Sequence, residues 1–288
     1  MKKSKYLTNC LLELLTLERL SESTYRGISK NLVGERVFGG QILAQALIAA
    51  SRDVYLPASS LHCYFYLPGN TNIPIDYQVN ELISSNHISI KEVNAFQKNK
   101  NIFKGIFKFS PFKEEVKSHI KTPKFPDVDL FEDENYHKKY FYKKYPKQFP
   151  SSLLEPFVIL SKPITIVDPI FPQRKNNKYI EYFKTHELIS VDPQILHQAI
   201  ATFYSDYNLL SPSLNLHGLT FLDKSLSIAS LDHAIYFHAP LSINEWILYD
   251  INTTCTANQR GLNIGHMWQF GKLVCTTIQE NLMRLNNS

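Results

Sequence analysis

The run from Gln41 to Ala50 (Q-I-L-A-Q-A-L-I-A-A) constrains this chain more than any other stretch. Its polar residues, Gln41 and Gln45, stand at i and i+4 and share one face of a helix, and the other positions are apolar. A helix that is apolar nearly all the way round has to be buried. It is also far too short to cross a bilayer, which takes ~20 apolar residues. A curved antiparallel sheet is the economical wrapping for so thin a helix. Gly39 and Gly40 stand where it begins, in the stretch Gly34–Arg52. Backbone N–H groups there can approach a ligand closely, although glycines serving a tight turn into a core helix are the commoner arrangement.

The rest of the chain can supply that wrapping. Of its 288 residues, 44% are hydrophobic and 12% aromatic, which provides a substantial core and excludes general disorder. The net charge of +5 is modest, and the lysine-rich runs Met1–Lys5 and Lys138–Lys147 lack the Arg/Gly/aromatic pattern of an RNA-binding strand. They read as solvated surface, so no nucleic acid is expected, while a mild basic excess suits a polyanionic small molecule. Cys10, Cys63, Cys255 and Cys275 lie far apart with no C-x-x-C spacing, which suggests neither a zinc site nor a disulfide framework. Leu11–Leu17 is broken by Glu13 and lacks a cleavage site, and Leu285–Ser288 is not a peroxisomal address. A cytoplasmic protein without membrane insertion is expected.

Taken in order, Asn9–Leu20 has helical spacing and reads as an amphipathic helix on the outside of a first domain. After the buried helix come four strand-like runs, Leu61–Leu67, Ile73–Leu82, His87–Gln97 and Ile102–Phe109, rich in aromatic and β-branched residues and bounded by turn formers. Ser110–Pro150 has no sustained periodicity and is punctuated by Pro123, Pro126, Pro146 and Pro150, as a surface linker with at most one short helix would be. Then Asp192-Pro193 reads as a helix cap with proline at the first turn, opening a helix through Leu209. Strand-like runs follow at Ser227–His238, Trp246–Cys255, Gly261–Phe270 and Lys272–Glu280. The same order of elements appears twice, with an aromatic strand ending at proline (Pro68, Pro240) in the corresponding place, and argues for duplication.

Several common sites are absent. There is no G-x-S-x-G elbow, P-loop or G-x-G-x-x-G. His233 and His238 fall on opposite faces of a strand-like run, unsuited to sharing a metal. What remains is polar residues where core is expected. Asp206 follows Ala199, Ile200, Ala201 and Phe203; it is either a buried carboxylate with a purpose or a terminal-turn residue facing solvent. Ser230 alone reads as a structural hydroxyl, Gln279 as a rim residue, and His62 as a satisfied core histidine.

As a set, these residues and their surroundings resemble the acyl-CoA thioesterase II family, long-chain thioesterases with two fused hotdog domains. The resemblance is carried by Arg36-Val37-Phe38-Gly39-Gly40-Gln41, Leu61-His62-Cys63-Tyr64-Phe65 leading to Pro68-Gly69, and Ser205-Asp206. It continues in Ser230-Leu231-Asp232-His233-Ala234, Asn244-Glu245-Trp246-Ile247-Leu248-Tyr249, Arg260-Gly261-Leu262, and Gln279-Glu280 with Met283-Arg284. It implies an α+β double hotdog, two curved antiparallel sheets each wrapping a central helix: an N-terminal domain over 1–110, a linker over 111–160 and a C-terminal domain over 161–288. It implies hydrolysis of medium- to long-chain acyl-CoA, with Asp206, Ser230 and Gln279 orienting the attacking water, no metal or cofactor, and a homodimer or homotetramer. A covalent Ser230 intermediate is not expected, because the motif offers no adjacent base. His62, Gly39 and Gly40 remain candidates for lining the substrate site, and the first buried helix then reads mainly as core. The turn at Phe270-Gly271 is one residue shorter than is usual in the family. Two other functions compete: a hotdog acyl-CoA hydratase or dehydratase, which needs a His/acid pair and would have to use His62, and a non-catalytic acyl-CoA-binding protein.

Overall fold

The computed structural model describes residues 2–34, 36–113, 118, 120–124, 126–190 and 193–286. Helix α1 (Lys2–Leu15) leads into strands β1 (Glu18–Arg19) and β2 (Thr24–Gly27), then helix α2 (Gly39–Ala50) and strands β3 (Ala58–Phe65), β4 (Ile75–Ser84), β5 (Ser89–Gln97) and β6 (Lys100–Phe109). Helix α3 (Glu134–Lys144) lies between the halves. The second half runs β7 (Ile159–Pro163), β8 (Lys178–Thr185), α4 (Gln194–Ser205), α5 (Ser211–His217), β9 (Leu226–Ser230), β10 (Asp232–Phe237), β11 (Ile247–Ala257), β12 (Arg260–Gln269) and β13 (Lys272–Leu285).

Among the described residues the strands form one sheet, in the order β1-β2-β4-β5-β6-β3-β10-β13-β12-β11-β8-β7, with β9 also on β13. Read from its two ends, the order is the same strand for strand, β1-β2-β4-β5-β6-β3 against β7-β8-β11-β12-β13-β10, as duplication requires. The halves meet at β3 and β10, paired antiparallel from Asp232 opposite Tyr64 to Tyr236 opposite Ser60. Each strand thereby covers the other's open edge.

Helix α2 is buried from Gly40 to Ala50. Its two glutamines are satisfied inside the core, as buried amides must be. Gln45 donates to the Leu14 and Ile28 carbonyls and accepts from Tyr77 Oη at 2.7 Å, while Gln41 donates to Ile28 O. The start of α2 abuts the end of α4, and beyond the other end of α2, Gln198 near the start of α4 exchanges two hydrogen bonds with the Ala58 backbone. The two central helices therefore pack antiparallel against each other inside the sheet.

The differences from the sequence reading have local causes. Helix α1 spans Lys2–Leu15 rather than Asn9–Leu20, burying Leu7, Leu11, Leu14 and Leu15, and Leu20 is exposed beyond it. Strands β1 and β2 are too short for a periodicity to register. Strand β8 is hidden because its inward positions are Glu181, Phe183 and Thr185. The run Ser227–His238 breaks at Leu231 into β9 and β10. Helix α4 stops at Ser205, with the unanticipated α5 after it; Pro193 occupies its N-cap, and Asp192 lies outside the described residues. The hairpin from β12 to β13 turns on Phe270 and Gly271 with φ of 50° and 73°, the left-handed pair that a two-residue connection requires. No helix among the described residues is long and apolar enough to cross a membrane.

Glu181 is fully buried, accepting hydrogen bonds from Tyr204 Oη at 2.9 Å and from the Asn208 amide. Burial pushes its carboxyl from the ordinary 4.5 up to about 8, against the lowering effect of the Tyr204 hydrogen bond. The folded state thus keeps a proton that the unfolded chain has released, and stability falls as pH rises through that interval. Glu181→Gln should shrink the drop in Tm between pH 5.5 and pH 8.5, measured by thermal unfolding; an undiminished drop would remove Glu181 as its source.

Candidate active site

Asp206 is the C-cap of α4, with φ −88° and ψ −15°. A carboxylate there faces the negative end of its own helix, which is unfavourable. The start of α2 offsets this: the Gly40 N–H donates to Asp206 Oδ2 at 2.9 Å, and the positive end of that helix points at the same group. Asp206 is only 8% exposed, which overturns the solvent-facing alternative. Helix α2 is core along its length, as expected, and its first turn adds a backbone donor that holds the Asp206 carboxylate. A Cβ at Gly39 would stand 2.6 Å from Asp206 Oδ2, and one at Gly40 would stand 2.1 Å from the Phe203 carbonyl oxygen. The glycine pair is what lets the two helix ends come this close.

Ser230, the last residue of β9, donates its hydroxyl to Asp206 Oδ1 at 2.8 Å. Gln279, fully buried in β13, donates from Nε2 to Ser230 Oγ at 3.1 Å. Its Oε1 is hydrogen-bonded by His233 Nδ1, and His233 Nε2 lies 2.9 Å from Ser205 Oγ. Burial holds His233 below the usual imidazole range despite the opposing pull of Asp206. It is therefore neutral near pH 7, with one nitrogen donating and the other accepting. A proton on Nδ1 turns the carbonyl end of Gln279 toward His233 and its amide N–H₂ toward Ser230.

The structure thus brings Asp206, Ser230 and Gln279 together and adds Gly40, His233 and Ser205. A cleft of about 340 Å³ opens onto them, lined by Asp206, Ser230 and Gly39, with Arg36 and Tyr66 among its other walls. Gln279 stands behind Ser230 and reaches the site through it. His62 does not belong here. In β3, Leu61 and Cys63 point inward and His62 points out, its ring edge-on to Tyr236 at 5.1 Å. His233 carries a readable signal in the sequence: it shares the inward alternation of Ile235 and Phe237, and a buried histidine needs two partners. The role of the Gly40 N–H carried no side-chain signal.

A central helix enclosed by a curved antiparallel sheet, made twice and fused, defines a double hotdog protein. Solved structures share this fold: an acyl-CoA thioesterase II from Mycobacterium marinum, at TM-score 0.75 and 25% identity over 96% of this chain and 98% of that one, and a hot dog fold protein of unknown function from Alicyclobacillus acidocaldarius, at 0.76 and 15% over 96% and 99%. The family profile for acyl-CoA thioesterase matches residues 173–282, and the profile for the acyl-CoA thioesterase N-terminal domain matches residues 29–110. Acyl-CoA thioesterase 2 of Haemophilus influenzae is 31% identical over 291 residues, covering 97% of this chain and 99% of the relative. The chain belongs to the acyl-CoA thioesterase family.

Proposed function

We propose that this enzyme hydrolyses medium- to long-chain acyl-CoA to free fatty acid and CoA, using a water activated between Asp206 and Ser230. The observation that carries this reading is the Asp206 carboxylate in the cleft wall, hydrogen-bonded by Ser230 Oγ and by the Gly40 N–H and still able to accept from a water. Asp206 takes the water's proton as the water attacks the thioester carbonyl, and Ser230 fixes the water's position. Gln279 acts one step back, holding the Ser230 oxygen. With the Gly40 N–H on Asp206 and the Gln41 N–H on the Phe38 carbonyl, the Gly39 N–H in the cleft wall is the helix-start donor that meets the developing oxyanion. The leaving group is a thiolate, stable near neutral pH, so no strong general acid is required. Arg36 in the cleft wall suits the CoA phosphates. The outward His62 leaves the hydratase reading without its base.

The Ser230–Asp206 hydrogen bond carries a second reading, with Ser230 as nucleophile and Asp206 as its base. Thiol release from acyl-CoAs of graded chain length, combined with rapid quenching and mass spectrometry, separates the two. The water mechanism predicts no acyl group on Ser230 and a residual rate in Ser230→Ala; a trapped acyl-Ser230 would establish the second reading, and a folded wild type releasing no thiol from any substrate would end both. The division into two domains and a linker, with the second boundary drawn back from 160 to before Ile159 because β7 already pairs with β8 there, residence in the cytoplasm, a part in lipid metabolism and assembly into a homodimer or homotetramer complete the proposal. Free thiols at all four cysteines suit a reducing compartment.

A further inference from the structure

A second cavity, of about 530 Å³, adjoins the catalytic cleft. The two share Val33, Tyr207, Phe221 and Ile228 in their walls, so the second cavity begins within one side chain's width of the cleft that holds Asp206. Tyr207, the residue after Asp206, marks the junction. Its ring stacks on Phe157 with centroids 4.2 Å apart, and its hydroxyl donates to Glu134 Oε1 at 2.9 Å, tying the junction to α3.

The roof of this cavity is built by Phe141 of α3 and by Phe149 and Leu153 beyond it. These residues lie between 110 and 173, the stretch that neither family profile covers. Phe221 in the shared wall is 47% exposed and Leu153 in the roof 37%, apolar surface that a hydrocarbon chain would remove from water. Arg36 lines the catalytic cleft, whereas Lys138 in the wall of the second cavity is already ion-paired with Glu134 at 3.2 Å, which favours the cleft side for the phosphate-bearing CoA and the second cavity for the other end of the substrate.

We propose that the second cavity holds the acyl chain, and that the connecting segment roofing it, from α3 to Leu153, sets the chain length the enzyme accepts. This rests on the acyl-CoA hydrolase reading and gives it a length filter. Each methylene kept inside the cavity raises kcat/KM, by roughly fourfold at full burial. A substrate too short to pass Tyr207 gains nothing from the roof.

The test compares kcat/KM for hexadecanoyl-CoA and hexanoyl-CoA in wild type, Leu153→Trp and Ile166→Trp. Ile166 lines the cavity, and both side chains are partly exposed, outside the packed core. An added indole should lower kcat/KM for the long substrate at least tenfold and leave the short one within about twofold, with an unchanged thermal transition. An equal fall for both substrates would mean that the cavity holds the CoA arm common to both, and would overturn the proposal. So would an unaltered ratio in both variants. A wild type inactive on every acyl-CoA would instead strike the hydrolase reading, so the two failures are distinguishable.

Discussion

Replacing Asp206 by alanine should lower kcat by about three orders of magnitude, while KM for acyl-CoA changes by no more than a fewfold. Among the described residues of the cleft wall, this carboxylate is the one group that holds Ser230 and can also accept from a water, and in the proposed mechanism neither task contributes to binding the CoA or the acyl chain. Stability answers separately. Alanine leaves the buried Gly40 N–H without its acceptor, which costs ~1–3 kcal/mol, but it also removes a negative charge from the C-terminal end of α4. Asp206→Asn isolates the chemistry, because its amide oxygen can still accept from Gly40 while the base is lost. Steady-state thiol release together with thermal unfolding reads both variants. A folded Asp206→Asn enzyme with wild-type kcat would show that the carboxylate is not the base.

The fold was legible early because one short helix, apolar on nearly every side, demands a wrapping sheet, and strand-like runs follow it twice. The beginnings of the two halves were less legible. Strands β1 and β2 are brief, and β8 turns a glutamate and a threonine inward, so hydrophobic alternation gives no sign of it. For the site, residue types and spacing left Asp206 divided between solvent and function, and the trio was gathered by family resemblance. The hydrogen bond that buries Asp206 joins residues 166 apart to a backbone N–H, and no local pattern can announce such a partner. The spacing of His233 and His238 speaks only to metal binding, whereas the place of His233 on the inward face of β10 calls for buried partners, which Gln279 and Ser205 provide.

The glycines at the start of α2 should divide structure from chemistry. Gly→Ala inside a helix ordinarily stabilises by ~0.5–1 kcal/mol. At Gly40 the sign should reverse. The added methyl would stand 2.1 Å from the Phe203 carbonyl oxygen and 2.5 Å from the Phe38 ring. Neither neighbour can yield: the carbonyl belongs to the backbone of α4, and the Phe38 ring packs edge-on against Phe203, Phe157 and Tyr207. Overpacking of this kind costs ~3 kcal/mol, so Gly40→Ala should lower Tm by roughly 5–10 °C. The helices must separate to admit the methyl, which draws the Gly40 N–H away from Asp206 and lowers kcat as well. Gly39→Ala should behave differently, because its methyl meets mainly the Asp206 carboxylate, 2.6 Å away on a side chain that can turn. The expected result there is a large loss of kcat with a small change in Tm. Thermal unfolding and thiol release on both variants decide the matter: a Gly40→Ala protein as stable as wild type would mean that the helices are not in contact at this point, and a fully active Gly39→Ala enzyme would mean that Asp206 does not work from this position.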